Sequence, residues 1–370
     1  MKRAVILTSH FPRQKRRGSI HWISDHLQDT GWHVTFATVG YSQLARLRGD
    51  KRLAALHHSP LPGETRLSAS LTGLYTLPLA YPVNTGLAPL TALLGALSPF
   101  CVRHWRDRLS AALEAADLVI CESGAPVLLA PLLSRCAAQA PRIYRVNDDI
   151  SLLNAAPALL RAEAASHHFT RISLPCPSLS HRFRHPHVTI DHPGIPKARM
   201  KVSTADPYRR RDDRIAICAG TSQLDSDALD RIARAKPQWQ IHVLGRCRAR
   251  ASRRNLTFHG ETDFDTTLAH IAHADIGLAP YRDRPGIEYQ RANSNRILLY
   301  RHFGLPILGP QRLCHPSLPR LIPYEQIDRC ETMPRQPETL PDWSELADSL
   351  AQNPEIAPAP EASRSPPSTA

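Results

Sequence analysis

Short apolar runs alternate with helix-length amphipathic stretches along most of this chain, in two series separated by a polar, basic interval. The first series opens with AVILTS (4–9), passes through an amphipathic stretch at 19–28 and reaches HVTFATV (33–39), a β-α-β pattern. Further strands are expected at DLVICES (117–123), PRIYRV (141–146) and TRISLP (170–175), with a helix over 125–137, and the series closes near HVTIDHPG (187–194). The second series runs RIAICAG (214–220), WQIHVLG (239–245), NLTFHG (255–260), DIGLAPY (275–281) and LPILGP (305–310). Strands joined through helix-sized segments pair in parallel, and such sheets bind ligands beyond the carboxyl ends of their strands.

A chain of 370 residues is too long for one ordinary core and sufficient for two. The expected division is a first Rossmann-like domain over 1–195, a linker over 196–213 carrying Pro196, Pro207 and the run Arg209, Arg210, Arg211, and a second Rossmann-like domain over 214–345. Residues 353–370, rich in Pro, Ala and Ser, have almost nothing to bury and are expected to be disordered. The α/β class that this organisation predicts is GT-B, two Rossmann-like domains facing across a cleft.

Lys and Arg number 46 against 33 Asp and Glu, a formal charge of +13, which predicts an anionic partner: nucleic acid, anionic lipid or a pyrophosphate-bearing substrate. The charge is spread over both halves and no nucleic-acid recognition motif accompanies it, so nucleic acid is not the expected partner. Eight dispersed cysteines form no C-x-x-C pair and are expected to be reduced thiols in a cytoplasmic setting. No H-x-x-x-H or H-E-x-x-H spacing suggests a metal site, and His10 and His21 read as structural. Residues 67–102 hold 36 positions without a charged side chain, long enough to cross a bilayer but broken by Pro78, Pro82, Pro89 and Pro99. They are expected to lie in a membrane interface, with Arg66 on one side and Arg103, Trp105, Arg106 and Arg108 on the other as head-group anchors; a buried hairpin is the first alternative and a true span the last.

Several strand ends carry residues suited to transfer chemistry. IYRV ends in Asn147, Asp148 and Asp149; a carboxylate there can accept a hydroxyl proton, and either aspartate can instead cap the following segment, ISLLNAAPALL, which reads as helical. HGE (259–261) places Glu261 where it can accept ribose hydroxyls, or simply favour a helix N-terminus. Tyr281 ends the strand GLAPY, and a helix beginning near Ser294 aims its N-H groups at a diphosphate, with Arg296 in its first turn. The run RQKRR (13–17) between the first strand and helix either contacts phosphate or an acidic sugar, or is a solvated loop.

Taken together, SHFPRQKRRGSIHWISDHL (9–27), YSQLARLRGDKR (41–52), CESG (121–124), YRVNDDISLLNAA (144–156), GE (260–261), GLAPY (277–281) and the FGLP region resemble the GumK family of membrane-associated β-glucuronosyltransferases. The resemblance spans roughly residues 4–310. It implies an inverting enzyme on the cytoplasmic face of the inner membrane, peripheral (monotopic), with UDP-glucuronate as donor and a polyprenyl-pyrophosphate-linked glycan of exopolysaccharide synthesis as acceptor. It also implies no cofactor and no metal in the catalytic site. Asp148 falls at the family's catalytic base, while Asp149 stands where the family has Gly. Thr221, Glu261, Tyr281, Ser294, Asn295 and Arg296 fall on the nucleotide side, and Arg16 and Arg17 match an Arg pair suited to the donor carboxylate or acceptor pyrophosphate. The family has Lys at 296, Met at 295 and Ser-Met at 221–222, so a GT-B transferase for another nucleotide sugar is the leading alternative and a polyanion-binding protein the remote one.

Overall fold

The computed structural model describes residues 1–14, 17–49, 53, 62–200, 205–208, 213–247 and 253–352. The expected disordered tail, Arg16, the run 209–211 and most of the basic cluster at 248–254 lie outside the described residues.

The first sheet has eight strands: β1 (Arg3–Thr8), β2 (His33–Thr38), β3 (Gly63–Arg66), β4 (Leu71–Tyr75), β5 (Leu118–Glu122), β6 (Arg142–Arg145), β7 (Arg171–Leu174) and β8 (Val188–Ile190). Their order is β3-β4-β2-β1-β5-β6-β7-β8, parallel except for the edge strand β3, which runs antiparallel to β4. The second sheet is wholly parallel: β9 (Ile215–Ala219), β10 (Gln240–Leu244), β11 (Leu256–Gly260), β12 (Ile276–Leu278), β13 (Ile307–Gly309) and β14 (Leu321–Pro323), in the order β11-β10-β9-β12-β13-β14. In both sheets the order reverses beside the first strand of the domain, and crevices for ligands open at such reversals.

Apolar strands buried on both faces explain why a single domain holds two hydrophobic clusters. In the first, Val5 and Leu7 of β1 face one cluster while Ala4 and Ile6 face the other, as the two-residue period of a strand requires. Against the latter side lies α1 (Ser19–Asp29), through Ile20, Ile23 and Leu27. α2 (Gln43–Leu47) buries no residue. α3 (Ala88–Ala96) precedes α4 (Ser98–Glu114), which buries Cys101, Trp105, Leu109 and Leu113 at four-residue spacing.

Trp105 is therefore a core residue with no exposed surface, not the head-group anchor expected of it; Arg103, Arg106 and Arg108, on the other faces of α4, are exposed. The uncharged segment 67–102 likewise divides. Its first part is the interior strand β4, bonded on both sides, so there the hairpin reading holds. Its later part leaves Leu79, Val83, Leu87, Leu93 and Phe100 exposed, and Leu44 of α2 joins them by donating its N-H to the Leu79 carbonyl (3.1 Å). No helix among the described residues is long and apolar enough to cross a membrane.

Two other expectations change. After α5 (Ala130–Cys136), the continuous helix read from ISLLNAAPALL is a 3-10 turn over Ile150–Leu153, a left-handed Asn154 (φ 58°) and then α6 (Pro157–Ala164). The proline that starts α6 disfavours helical backbone in the residue before it. The second domain holds α7 (Ser226–Ala235), α8 (Phe264–His273), α9 (Gln290–Asn293), α10 (Asn295–His302) and α11 (Arg329–Thr332). The expected end of that domain at 345 falls inside α12 (Trp343–Ala351), which crosses back and buries Trp343, Leu346, Ala347 and Leu350 against α1. His26 Nε2 lies 2.7 Å from Asp348 Oδ1, and Ser349 donates to Asp191 (2.8 Å). The outward and return crossings run side by side: Ile195 N-H donates to the Pro341 carbonyl (3.0 Å) and Trp343 N-H to the Ile195 carbonyl (3.3 Å). A side chain on Gly194 would stand 2.6 Å from the Asp342 backbone, so only glycine lets the two crossings approach this closely.

Candidate active site

The carboxyl ends of β1, β5 and β6, neighbours in the first sheet, bring Thr8, Glu122 and Asn147 together. Buried Glu122 accepts the Thr8 hydroxyl and the Asn147 side-chain amide (2.5 Å), and His10 Nε2 stands 4.0 Å away. Asn147 also donates to the Ser19 hydroxyl (3.1 Å) and accepts Asn293 of the second domain at its carbonyl. His21 is structural, as expected. Its Nδ1 accepts the Gly18 N-H (3.0 Å) and its Nε2 lies 2.9 Å from the Phe11 carbonyl, with burial holding its pKa down to about 3.

Asp148 sits on the next turn, its N-H aimed at the Ser123 hydroxyl (3.3 Å). Its carboxylate is met from the second domain: Oδ1 accepts the Tyr289 hydroxyl (2.8 Å) and the Gln290 amide (3.4 Å), while Oδ2 has no hydrogen-bond partner among the described residues. Burial raises the Asp148 pKa, nearby Glu122 adds to the rise, and the bonds from Tyr289 and Gln290 oppose it. Tyr289 is itself held well above the usual phenol range, chiefly by burial, and so stays a donor. Asp149 has a different task. It is the N-cap of the 3-10 turn, accepting the Ser151 N-H (3.0 Å), and it pairs with Arg182, which also pairs with buried Glu163.

Beside this network a cleft of about 910 Å³ separates the domains, within the size range of ligand pockets. The first domain lines it with His10, Arg13, Arg17 and Trp22, the second with Thr221, Arg246, Glu261, Asn295 and Arg296. Arg17 stacks 4.6 Å over the Trp22 ring and donates to Asp25 (2.5 Å). The second domain's wall starts where β9 ends: Gly220 turns with φ +106°, a conformation side chains rarely adopt, and its open Cβ position lies 3.7 Å from Arg296 Nη2.

Arg296 is buried, stacked 4.6 Å from the centroid of Tyr281, with Nε on the Ala219 carbonyl (3.2 Å) and Nη1 without a partner among the described residues. Ser294 caps α10 by accepting the Ile297 N-H (3.2 Å), leaving the N-H groups of Asn295 and Arg296 free of intrahelical bonds.

Not every expected residue faces the cleft. Thr221, Glu261, Asn295, Arg296 and Arg17 line it. Tyr281 and Ser294 do not: they are buried behind Arg296 and joined hydroxyl to hydroxyl (2.6 Å), supporting the arginine and the helix end. Glu261 pairs with Arg246, and Thr221 donates to the Arg246 carbonyl (2.7 Å). Asp148 stands outside the cleft's lining, connected to it through His10 and Glu122. His10 was passed over as a lone histidine, and Glu122 lay unremarked in CESG. Tyr289, ending the 3-10 turn before α9, and Gln290, the first residue of α9, carried no sequence signal of their own.

Residues 6–175 match the family described as glucuronosyltransferase GumK, N-terminal domain. Over 318 residues, 84% of this chain and 78% of the relative, the sequence is 26% identical to a UDP-glucuronate:glycolipid 2-beta-glucuronosyltransferase of Xanthomonas campestris pv. campestris. The chain resembles the GumK family across both domains, and it is a glycosyltransferase. Its GumK-like sequence sits on a GT-B fold shared with much more distant proteins. An E. coli trehalose-6-phosphate structure bound with UDP-2-fluoro glucose superposes with a TM-score of 0.60 at 10% identity, over 95% of this chain and 94% of that one. A UDP-forming trehalose-phosphate synthase from Burkholderia xenovorans gives 0.58 at 12% identity, over the same shares.

Proposed function

We propose that this GumK-like chain transfers glucuronate from UDP-glucuronate to a lipid-linked glycan in exopolysaccharide synthesis, with inversion, while docked peripherally on the cytoplasmic face of the inner membrane. One observation carries the reading. A carboxylate of raised pKa and a buried arginine with an idle N-H belong to the two domains that meet at one cleft. The acceptor hydroxyl attacks the anomeric carbon as Asp148 takes its proton through Oδ2, the oxygen left free by Tyr289 and Gln290. The bond to the UDP oxygen breaks, and its growing charge meets Arg296 Nη1 and the free N-H groups of α10. Arg13 and Arg17 on the opposite wall suit the glucuronate carboxylate or the acceptor pyrophosphate. The curated relative's donor and glycolipid acceptor support this choice of substrates. The exposed apolar side chains at 79–100 and the exposed arginines of α4 support seating on an anionic membrane.

The test is saturation-transfer NMR with UDP-glucuronate, UDP-glucose and GDP-mannose, followed by UDP release with a lipid-linked acceptor, on the wild type and Asp148→Asn. Selective UDP-glucuronate binding in both proteins, with turnover only in the wild type, is the expected result. Selective binding of UDP-glucose or GDP-mannose would overturn the donor, and binding of none of the three would overturn the transferase chemistry.

A further inference from the structure

Away from the cleft lining, three histidines from three elements of the second domain converge: His242 of β10, His259 of β11 and His270 of α8. One ring nitrogen from each lies within 4.8 Å of the others. His242 Nδ1 and His259 Nε2 are 2.8 Å apart, and the His259 and His270 ring centroids 4.7 Å apart. The backbone is specialised at this point. Val243 pairs with Phe258 but Leu244 pairs with Gly260, so His259 is the extra residue of a β-bulge, a device that re-aims a side chain out of the regular ladder.

Hydrogen bonding within the protein does not use up these rings. His242 Nε2 and His270 Nδ1 are buried without a partner among the described residues, and buried polar nitrogens are rarely left so. We propose that His242, His259 and His270 form a binding site for a divalent transition metal of the zinc class, separate from the transfer chemistry and tying β10, β11 and α8 together. Burial, and for His242 and His270 a neighbouring ring, holds all three pKa values below the ordinary histidine value, so the rings are neutral at physiological pH as ligation requires. Three imidazoles without a carboxylate suit Zn(II), Co(II), Ni(II) or Cu(II) and not the oxygen-seeking Mg(II) that accompanies nucleotide diphosphates. His259 is exposed, which gives the ion a route in and leaves a coordination position for water. Its place two residues before cleft-lining Glu261 makes the bound ion a brace for that end of β11.

The experiment is metal titration of the full-length, reduced protein after passage over chelating resin, with Zn(II) followed by equilibrium dialysis and Co(II) by its visible ligand-field bands. The wild type is expected to hold one equivalent, and Zn(II) to raise its melting temperature. His259→Gln, a change at an exposed position, is expected to weaken binding by more than the roughly 10–100-fold that loss of an outer-shell partner costs. His270→Gln provides an independent second variant. X-ray absorption of the zinc-loaded wild type should show a nitrogen shell at about 2.0–2.1 Å. A sulfur shell would assign the ion to the cysteines and overturn the site, as would equal zinc retention and equal thermal shifts in wild type and His259→Gln.

Discussion

The two domains solve opposite electrostatic problems where they meet. On the first domain, Asp148 and Glu122 are carboxylates brought close together among hydroxyl and amide donors, and the pKa of Asp148 is raised. On the second, Arg296 is a buried cation packed on an aromatic face, with one nitrogen unspent. A carboxylate whose charge is unwelcome is a better proton acceptor, and a cation with an unused donor is ready for an incoming anion. Placing the two groups on separate domains lets each be tuned without neutralising the other.

The comparison breaks first at Asp148. Replacement by Asn is expected to lower kcat/KM by about 10³-fold, within the range for a general base, while donor binding measured by NMR persists. Stability should move the other way. The folded pKa is raised, so the stabilisation from the protonated form is present below the unfolded value and is lost as pH rises through the folded one. Neutral Asn escapes that loss, so the melting temperature at pH 7 should equal or exceed that of the wild type. A variant both active and less stable would show Asp148 to be a structural residue. Next in size is Arg296→Ala, expected to cost about 10²–10³-fold in kcat, as loss of a preorganised charge-stabilising donor does. Arg296→Lys should recover part of that, since it keeps the charge but not the planar fork. Equal losses for Ala and Lys would shift the emphasis from charge to the stacked geometry over Tyr281.

The architecture was largely legible because its signal is local. Doubly buried strands such as AVILTS and RIAICAG are apolar enough to stand out, and Ser294 announces α10 by cap chemistry. What escaped depended on tertiary partners. β4 looked like part of an uncharged surface segment because the neighbours that make it an interior strand are distant in sequence. The three-residue β14 is too short to show a period. Trp105 could not be told from an interfacial tryptophan until the four-residue spacing of α4 met a core. Within the site, strand ends flagged Asp148 and Glu261, but Tyr289 and Gln290 reach Asp148 from some 140 positions away. The three histidines escaped for the same reason: no motif spacing connects two strands and a helix.

A finer probe of the acidic network is Tyr289→Phe, which keeps the ring and removes only the donated bond. That bond holds the Asp148 pKa down against burial, so its loss raises the pKa further. The acid limb of the kcat/KM profile should therefore move to higher pH, with a few-fold loss along that limb and little change on the plateau. A limb that stays in place, or moves to lower pH, would mean that a group other than Asp148 titrates there.

The smallest effect on chemistry is expected from the exposed apolar surface of the first domain. Leu93 and Phe100 expose most of their side chains, and burying such a side chain is worth about 1.5–3 kcal/mol. If that surface seats the enzyme on lipid, the pair Leu93→Asp and Phe100→Asp removes two such contributions and adds two charges that anionic lipid repels. Sedimentation with vesicles containing anionic lipid should then fall steeply, while turnover on a short-chain, water-soluble acceptor stays within about twofold, since neither residue touches the Asp148 network or the cleft lining. Loss of both activities together would show that the patch carries a packing role instead. Unchanged sedimentation would move membrane attachment to the exposed arginines of α4, leaving the Asp148 network and Arg296 as they are and changing only how the acceptor is brought to them.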